Sequence, residues 1–318
     1  MKEPCFFWKQ GSFVFSVSLY PLPPKDYSFR KMSKIPYKQK FPRFSDFIQQ
    51  KLHNSLLKAI YSCSHHQSNI LNPNNHYDLT IASYNVHKCV GVDKIFNPTR
   101  IVRVITELQV DILALQEADK RFGERIGLIN LQLLKAETGL IPVPLNTMSP
   151  HGHGWHGNAL FLRKGYVRDI LQVTLPSIEP RGAIIVELEM EAGPIRIIAA
   201  HFGLLRYSRK KQTKMLLTIL QKRSLMPTLL IGDFNEWRMG KGSSLNHFYP
   251  YFDSTLKVVP SFPSRFPFLA LDRVFAFPHQ LVTNLENHYS PLARIASDHL
   301  PIKAYLNLAN AMNILKNK

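Results

Sequence analysis

Four apolar runs in this 318-residue chain end in polar side chains that a protein interior does not accept unpaired. LTIASYN closes on Asn85, DILALQE on Glu117, IRIIAAH on His201, and TLLIGDFN on Asp233 and Asn235. Each run reads as a buried strand. A carboxylate left without a partner at the end of such a strand is costly to desolvate. The repetition implies that several strand ends meet in one cleft and satisfy one another there. A fifth block, ASDHLPI, sets Ser297, Asp298 and His299 before another apolar segment. Carboxylates and amides suit a hard cation such as Mg²⁺. Histidines move protons near neutral pH.

In this order, the residues resemble the endonuclease/exonuclease/phosphatase superfamily, the fold of pancreatic-type deoxyribonuclease, exonuclease III, neutral sphingomyelinase and inositol-polyphosphate phosphatases. The resemblance covers roughly Tyr77 to Leu308. GDFN followed by SDH is its most specific part.

The apolar patterning leads to a compatible architecture. Strands are expected near 79–84, 111–116, 159–163, 167–174, 182–190, 195–200, 228–232, 271–276, 281–288 and 301–306. Helices fit Pro98–Leu108, with proline in the first turn, about Asn130–Thr138, and about Tyr207–Arg223. Strands outnumber helices and many connections are hairpin-like. This predicts two packed, mostly antiparallel sheets with helices outside. The resemblance implies the same α/β fold, a four-layer α/β/β/α sandwich.

Glu117 follows a rigid apolar strand and is the expected principal Mg²⁺ ligand, with Mn²⁺ as a substitute. Asn85 can ligate the metal or orient the attacking water. Asp233 and Asn235 lie two apart, so both side chains reach one side if the strand continues. The resemblance gives Asp233 the water and Asn235 a phosphate oxygen. It gives Asp298 a contact with metal or water. It also implies that His299 donates to the phosphate as an imidazolium held by a separate carboxylate, Asp272 in ALDRVF. A neighbouring carboxylate raises a histidine's pKa.

His201 stands where the deoxyribonuclease and sphingomyelinase branches carry a histidine, which points away from abasic endonucleases. It can protonate the leaving oxygen. However, SPHGHGWHGNALF holds no carboxylate where the deoxyribonuclease branch supplies this histidine's partner. Arg181 in EPRGAIIV has a fork geometry suited to phosphate. Asn158 is placed in the same cleft. His151, His153 and His156 read as a mobile cleft wall in preference to a second metal site. RYSRKKQTK, residues 206–214, is either a phosphate contact or a solvated helix face. SFPSRFPF, residues 261–268, sets Arg265 among aromatics, and can stack on bases, cover a lipid chain or pack on the sheet edge.

Charge and cysteines narrow the context. The net charge is +18, with 11 Lys/Arg against 3 Asp/Glu in residues 1–76. Such a surface favours polyanions. Three cysteines, Cys5, Cys63 and Cys89, make neither a disulfide framework nor a thiolate metal site. They fit a reducing compartment. A cytoplasmic monomer is expected, with secretion or a peripheral membrane position as alternatives.

Residues 1–76 read as a basic extension, 77–308 as the catalytic domain and 309–318 as a tail. The apolar stretch 5–24 is interrupted by Lys9 and stopped by Pro21, too short a run for a membrane helix. It lacks a small-residue cleavage site. Met32 is an alternative start. Residues 44–61 align Phe44, Phe47, Ile48, Leu52, Leu56, Leu57 and Ile60 on one helical face, with Ser45 as N-cap. That helix either packs on the domain or lies on a membrane. Residues 62–76 read as a linker.

The expected activity is Mg²⁺-dependent hydrolysis of phosphate esters, with a nucleic-acid phosphodiester first among substrates. The alternatives are a phospholipid or sphingomyelin phosphodiesterase, or a phosphatase on a soluble phosphate such as an inositol phosphate. A catalytically dead polyanion-binding module is a third reading.

Overall fold

The computed structural model describes residues 76–317 other than 122, 148 and 253–257. The expected helix at 44–61, the linker up to 75 and the apolar stretch 5–24 lie outside the described residues.

In chain order the elements are β1 (Leu79–Asn85), α1 (Pro98–Leu108), β2 (Ile112–Gln116), α2 (Leu131–Thr138), β3 (Ile141–Pro142), β4 (Ala159–Leu162), β5 (Tyr166–Leu175) and β6 (Arg181–Met190). They continue with β7 (Gly193–His201), α3 (Arg206–Gln221), β8 (Thr228–Asp233), β9 (Asp272–Phe277), β10 (Val282–Asn287), α4 (Ala293–Ala296), β11 (Ile302–Leu306) and α5 (Leu308–Lys316). One sheet has the order β10-β11-β1-β2-β4-β3, the other β5-β6-β7-β8-β9. Each contains one parallel pair, β1 with β2 and β7 with β8, joined through α1 and α3 respectively. All other pairings are antiparallel.

Unbroken apolar strands need two buried faces, and the layers supply them. Ile81, Ile112, Ile197 and Leu229 point into the core between the sheets. Their neighbours point outward. Ala82 and Leu113 meet Ile101 and Ile105 of α1. Ile198 and Leu230 meet Leu216 and Leu220 of α3. The period of two thus fills three apolar layers between four structural layers.

Helix starts follow local chemistry. Asn97 accepts from the Arg100 N–H, with Pro98 in the first turn of α1. Asn130 caps α2 in the same way. Residues 309–318 were expected as a tail, but most of them form α5. Leu308 and Ala311 are buried in the central layer. The Asp78 carboxylate accepts the Leu308 and Ala309 N–H groups at 2.8 and 2.9 Å, tying α5 to the start of β1. Among the described residues no helix is long and apolar enough to cross a membrane.

Candidate active site

Eight strand ends build one edge of the sandwich. β1, β2, β7 and β8 finish there, and their antiparallel neighbours β4, β6, β9 and β11 begin there. In the second sheet Gly182, His201, Asp233 and Asp272 stand side by side across four strands. Cross-strand neighbours share a face, so His201, Asp233 and Asp272 converge. Gly232 has φ 150°, and a Cβ there would lie 1.9 Å from the Ala200 carbonyl oxygen, so β8 approaches β7 only with glycine at this position.

Asp233 is the hub. Asn85, from the facing sheet, donates its Nδ2 to Asp233 Oδ2 at 2.9 Å. The Asn235 N–H donates to Asp233 Oδ1 at 2.9 Å. His201 Nε2 is 3.5 Å, and His299 Nε2 3.9 Å, from Asp233 Oδ2. Burial, together with Asp272, raises the Asp233 carboxyl to about 6, against the lowering effect of His299.

Asp272 Oδ2 lies 2.7 Å from His299 Nδ1 and also accepts from Ser261 Oγ. Burial disfavours the imidazolium, but Asp272 and Asp233 outweigh it and raise His299 to about 10. Ser297 Oγ donates to the Asn85 carbonyl oxygen at 2.7 Å and accepts the His299 N–H at 3.3 Å. The SDH block is thereby tied to β1.

His201 is the opposite case. Arg181 Nη1 stands 2.9 Å from both of its ring nitrogens. Burial first, then Arg181, pushes this histidine well below its ordinary value. A neutral ring does not supply the proton expected of it near pH 7. The loop at 149–161 holds no carboxylate, and the group against the ring is the Arg181 guanidinium. Arg181 is itself buried, with Glu179 Oε1 3.6 Å from its Nε.

Glu117 and Asn235 have φ 55° and 50°. Left-handed backbone costs about 1–2 kcal/mol at a non-glycine residue, and here it falls at functional positions. For Asn235 this is a correction. β8 ends at Asp233, so the period-two argument stops before Asn235, whose Nδ2 instead donates to the Phe202 carbonyl oxygen at 2.9 Å.

Glu117, Asn85 and Asp298 are the expected metal ligands. Lys88 Nζ lies 2.5 Å from Glu117 Oε2, and Arg121 Nη2 3.5 Å from Oε1. Burial pushes this carboxyl up, but His201, Lys88 and Arg121 outweigh it and hold it at about 2. With His201 neutral, Lys88 and Arg121 are the standing counter-charges. A half-buried, ionised carboxylate that already holds two cations has the chemistry of a Mg²⁺ ligand, since Mg²⁺ takes one or two carboxylates and keeps several waters. The Asn85 amide is meanwhile spent on Asp233 and the His87 N–H. Asp298 is half-buried, 3.8 Å from His87 Nδ1. No group of three acidic, histidine or cysteine side chains stands at metal-holding distance among the described residues.

Two expected substrate contacts stand outside the hydrogen-bonded network of Asp233 and His299, one beneath the cleft and one on the loops above it. Asn158 is fully buried and spends its Nδ2 on the Trp155 and Gly182 carbonyl oxygens, stitching one sheet to the other. Arg265 is exposed on the loop before β9, outside the buried network. Of the histidine loop, His156 lines the cleft and His153 packs at Gly127. In the 206–214 stretch Arg209 is buried on Glu236 and Ser244, while Arg206 and Lys211 are exposed.

Sequence reasoning missed Lys88, Arg121 and the pair of Asp119 with Arg125 (2.9 and 3.0 Å). With Arg181 and Glu117 they line a narrow cleft. Lys88 adjoins the SYNVH block, which is the one signal that points to it. Its placement depends on His87, Lys88 and Cys89 having φ 46°, 54° and 60° in succession, which no glycine announces.

A model of the endonuclease/exonuclease/phosphatase family matches residues 82–299. The chain belongs to that family. Its members are typically phosphoesterase hydrolases that generally use divalent metals. Uncharacterized protein YbhP of Escherichia coli K12 is 27% identical over 179 residues, 51% of this chain and 66% of YbhP. An endonuclease/exonuclease/phosphatase from Beutenbergia cavernae is 20% identical, with a TM-score of 0.52 over 73% of this chain and 72% of that one. TDP2 of D. rerio, complexed with single strand DNA product, is 15% identical, with a TM-score of 0.51 over 72% and 98%. These structures share the fold, a sandwich of two mixed sheets with helices outside.

Proposed function

We propose that this family member is a Mg²⁺-dependent phosphodiesterase that acts by in-line attack of water. The observation that carries the reading is Asp233, a buried carboxylate raised to about 6 and facing His299, raised to about 10. The two groups are poised as base and cation at neutral pH.

Asp233 accepts the proton of the attacking water, its two oxygens fixed by Asn85 Nδ2 and the Asn235 N–H. His299, held by Asp272, donates towards the phosphoryl oxygens and is the protonated imidazole able to serve the leaving oxygen. Arg181 adds a fixed positive charge beside neutral His201. Mg²⁺ held by Glu117, Asn85 and Asp298, with Mn²⁺ as substitute, would supply neutralisation of charge developing on the phosphoryl group. The mutual pairing of Asp233, Asp272 and His299 argues against an inert binding module, which has no need of it.

For the substrate, a net charge of +18 favours a polyanion, nucleic acid first. A TDP2 structure with single strand DNA product is consistent with that choice. Ile178, Leu204 and Phe266, exposed on loops at the edge that carries the site, favour the phospholipid alternative, because general basic charge does not account for them. The test is a screen of duplex DNA, single-stranded RNA, phospholipid diesters and inositol phosphates with Mg²⁺ and with EDTA. EDTA-sensitive hydrolysis of a diester supports the proposal. Hydrolysis of monoesters alone contradicts it.

A further inference from the structure

The loops that open on the active-site edge carry most of the large apolar side chains exposed among the described residues. Ile95 and Phe96 lie between β1 and α1, Ile178 between β5 and β6, Leu204 and Leu205 between β7 and α3, and Phe266 before β9. Ile178 is 83% exposed, Phe266 76% and Leu204 63%. The opposite edge carries fewer, such as Tyr77 and Tyr166. Single exposed apolar residues are ordinary, but a set gathered round one mouth marks an interaction surface.

Cations accompany the apolar tips. Lys94 precedes Ile95, Arg206 follows Leu205 and Arg265 precedes Phe266. Lys211 Nζ lies 4.4 Å over the ring of Tyr207. The acids of these loops are already partnered. Asp93 pairs with Arg100, and Glu179 accepts the Leu204 N–H at 2.7 Å. The rim therefore offers apolar tips and positive charge together. Bases stack on aromatic or guanidinium faces. Phe96, Tyr207, Phe266 and the two guanidiniums offer such faces, but Ile95, Ile178, Leu204 and Leu205, the larger aliphatic share, do not. Aliphatic tips among cations suit the boundary between lipid headgroups and acyl chains.

We propose that this rim docks the mouth of the site onto an anionic phospholipid membrane. The apolar tips enter the headgroup–acyl boundary and the cations meet lipid phosphates. Resting on the phosphodiesterase reading, the substrate is then a phospholipid phosphodiester presented in that surface.

The test uses the full chain in EDTA, so that binding is read without turnover. Phosphatidylcholine vesicles with and without phosphatidylserine are sedimented with wild type and with the triple variant Ile178→Ser, Leu204→Ser, Phe266→Ser. Wild type should partition to the phosphatidylserine vesicles, and the triple variant should lose about 10-fold or more of that partition. Its turnover of bis(p-nitrophenyl) phosphate in Mg²⁺ should match wild type. Should the triple variant fail to fold, Phe266→Trp gives a second readout. Brominated acyl chains should quench that tryptophan beyond the quenching seen in wild type. No wild-type binding, an unchanged variant, or no added quenching would overturn the proposal. So would loss of single-stranded DNA binding in the variant without vesicle binding by wild type. Vesicle binding through the rim without diester hydrolysis would leave the docking standing and remove the phosphodiesterase reading.

Discussion

Asp272 Oδ2 lies 2.7 Å from His299 Nδ1, and both side chains are buried at the edge of the sandwich. The pair keeps His299 protonated to about pH 10. His299 has a folded pKa above its ordinary value of 6.5, so its stabilising effect is complete below that value and is lost as pH rises through about 10. Asp272→Asn should lower the histidine's pKa and bring the basic limb of the pH–rate profile down. The rate at neutral and alkaline pH should fall by about 10²–10⁴-fold, with the Mg²⁺ requirement nearly unchanged. Profiles at several Mg²⁺ concentrations check this, and rescue by high Mg²⁺ at every pH would oppose it.

Lys88 holds the Glu117 oxygen that the metal is expected to take. Removing a competing positive charge at this distance favours an incoming cation. Lys88→Met should therefore lower the concentration of Mn²⁺ needed for half-saturation by on the order of 10-fold. Titration followed by electron paramagnetic resonance measures this directly. A weaker Mn²⁺ site in the variant would mean that Lys88 helps to build the site.

Leu308 is fully buried at the start of α5, beneath the Asp78 cap. Leu308→Ala should destabilise the domain by about 2–5 kcal/mol. Urea unfolding would read this as a shifted midpoint with an unchanged slope. A change within error would mean that α5 is dispensable to the fold.

The candidate catalytic and metal residues lie between Asn85 and His299. A chain beginning at His76 should keep wild-type turnover of a small soluble diester. If it folds but loses that turnover, the preceding segment belongs to the site.

β1, β2, β7 and β8 were legible because they are apolar on both faces, a pattern that three buried layers require. β5 and β10, at the sheet edges, are only partly buried. β3 was not, since Ile141–Pro142 is two residues long and exposed. α5 was read as a tail because its asparagines mask a short apolar stripe. Asn85, Glu117, His201 and Asp233 stood out as polar ends of apolar runs, and His299 in the polar block before one. Lys88 did not, because three left-handed residues in succession carry it to Glu117. The protonation of His201 could not be read either, since it depends on Arg181, which lies 20 residues away in sequence but in direct contact in the fold. That the Asn158 Nδ2 is spent on two backbone carbonyls was not legible either, since motif position does not reveal which atoms the packing uses.

Metal-dependent hydrolysis through Glu117 is read from product release from bis(p-nitrophenyl) phosphate. Wild type should turn over in Mg²⁺ and stop in excess EDTA. Glu117→Ala should unfold cooperatively yet show no EDTA-sensitive turnover. Full activity of wild type in chelator, or of the purified variant in Mg²⁺, would contradict the account.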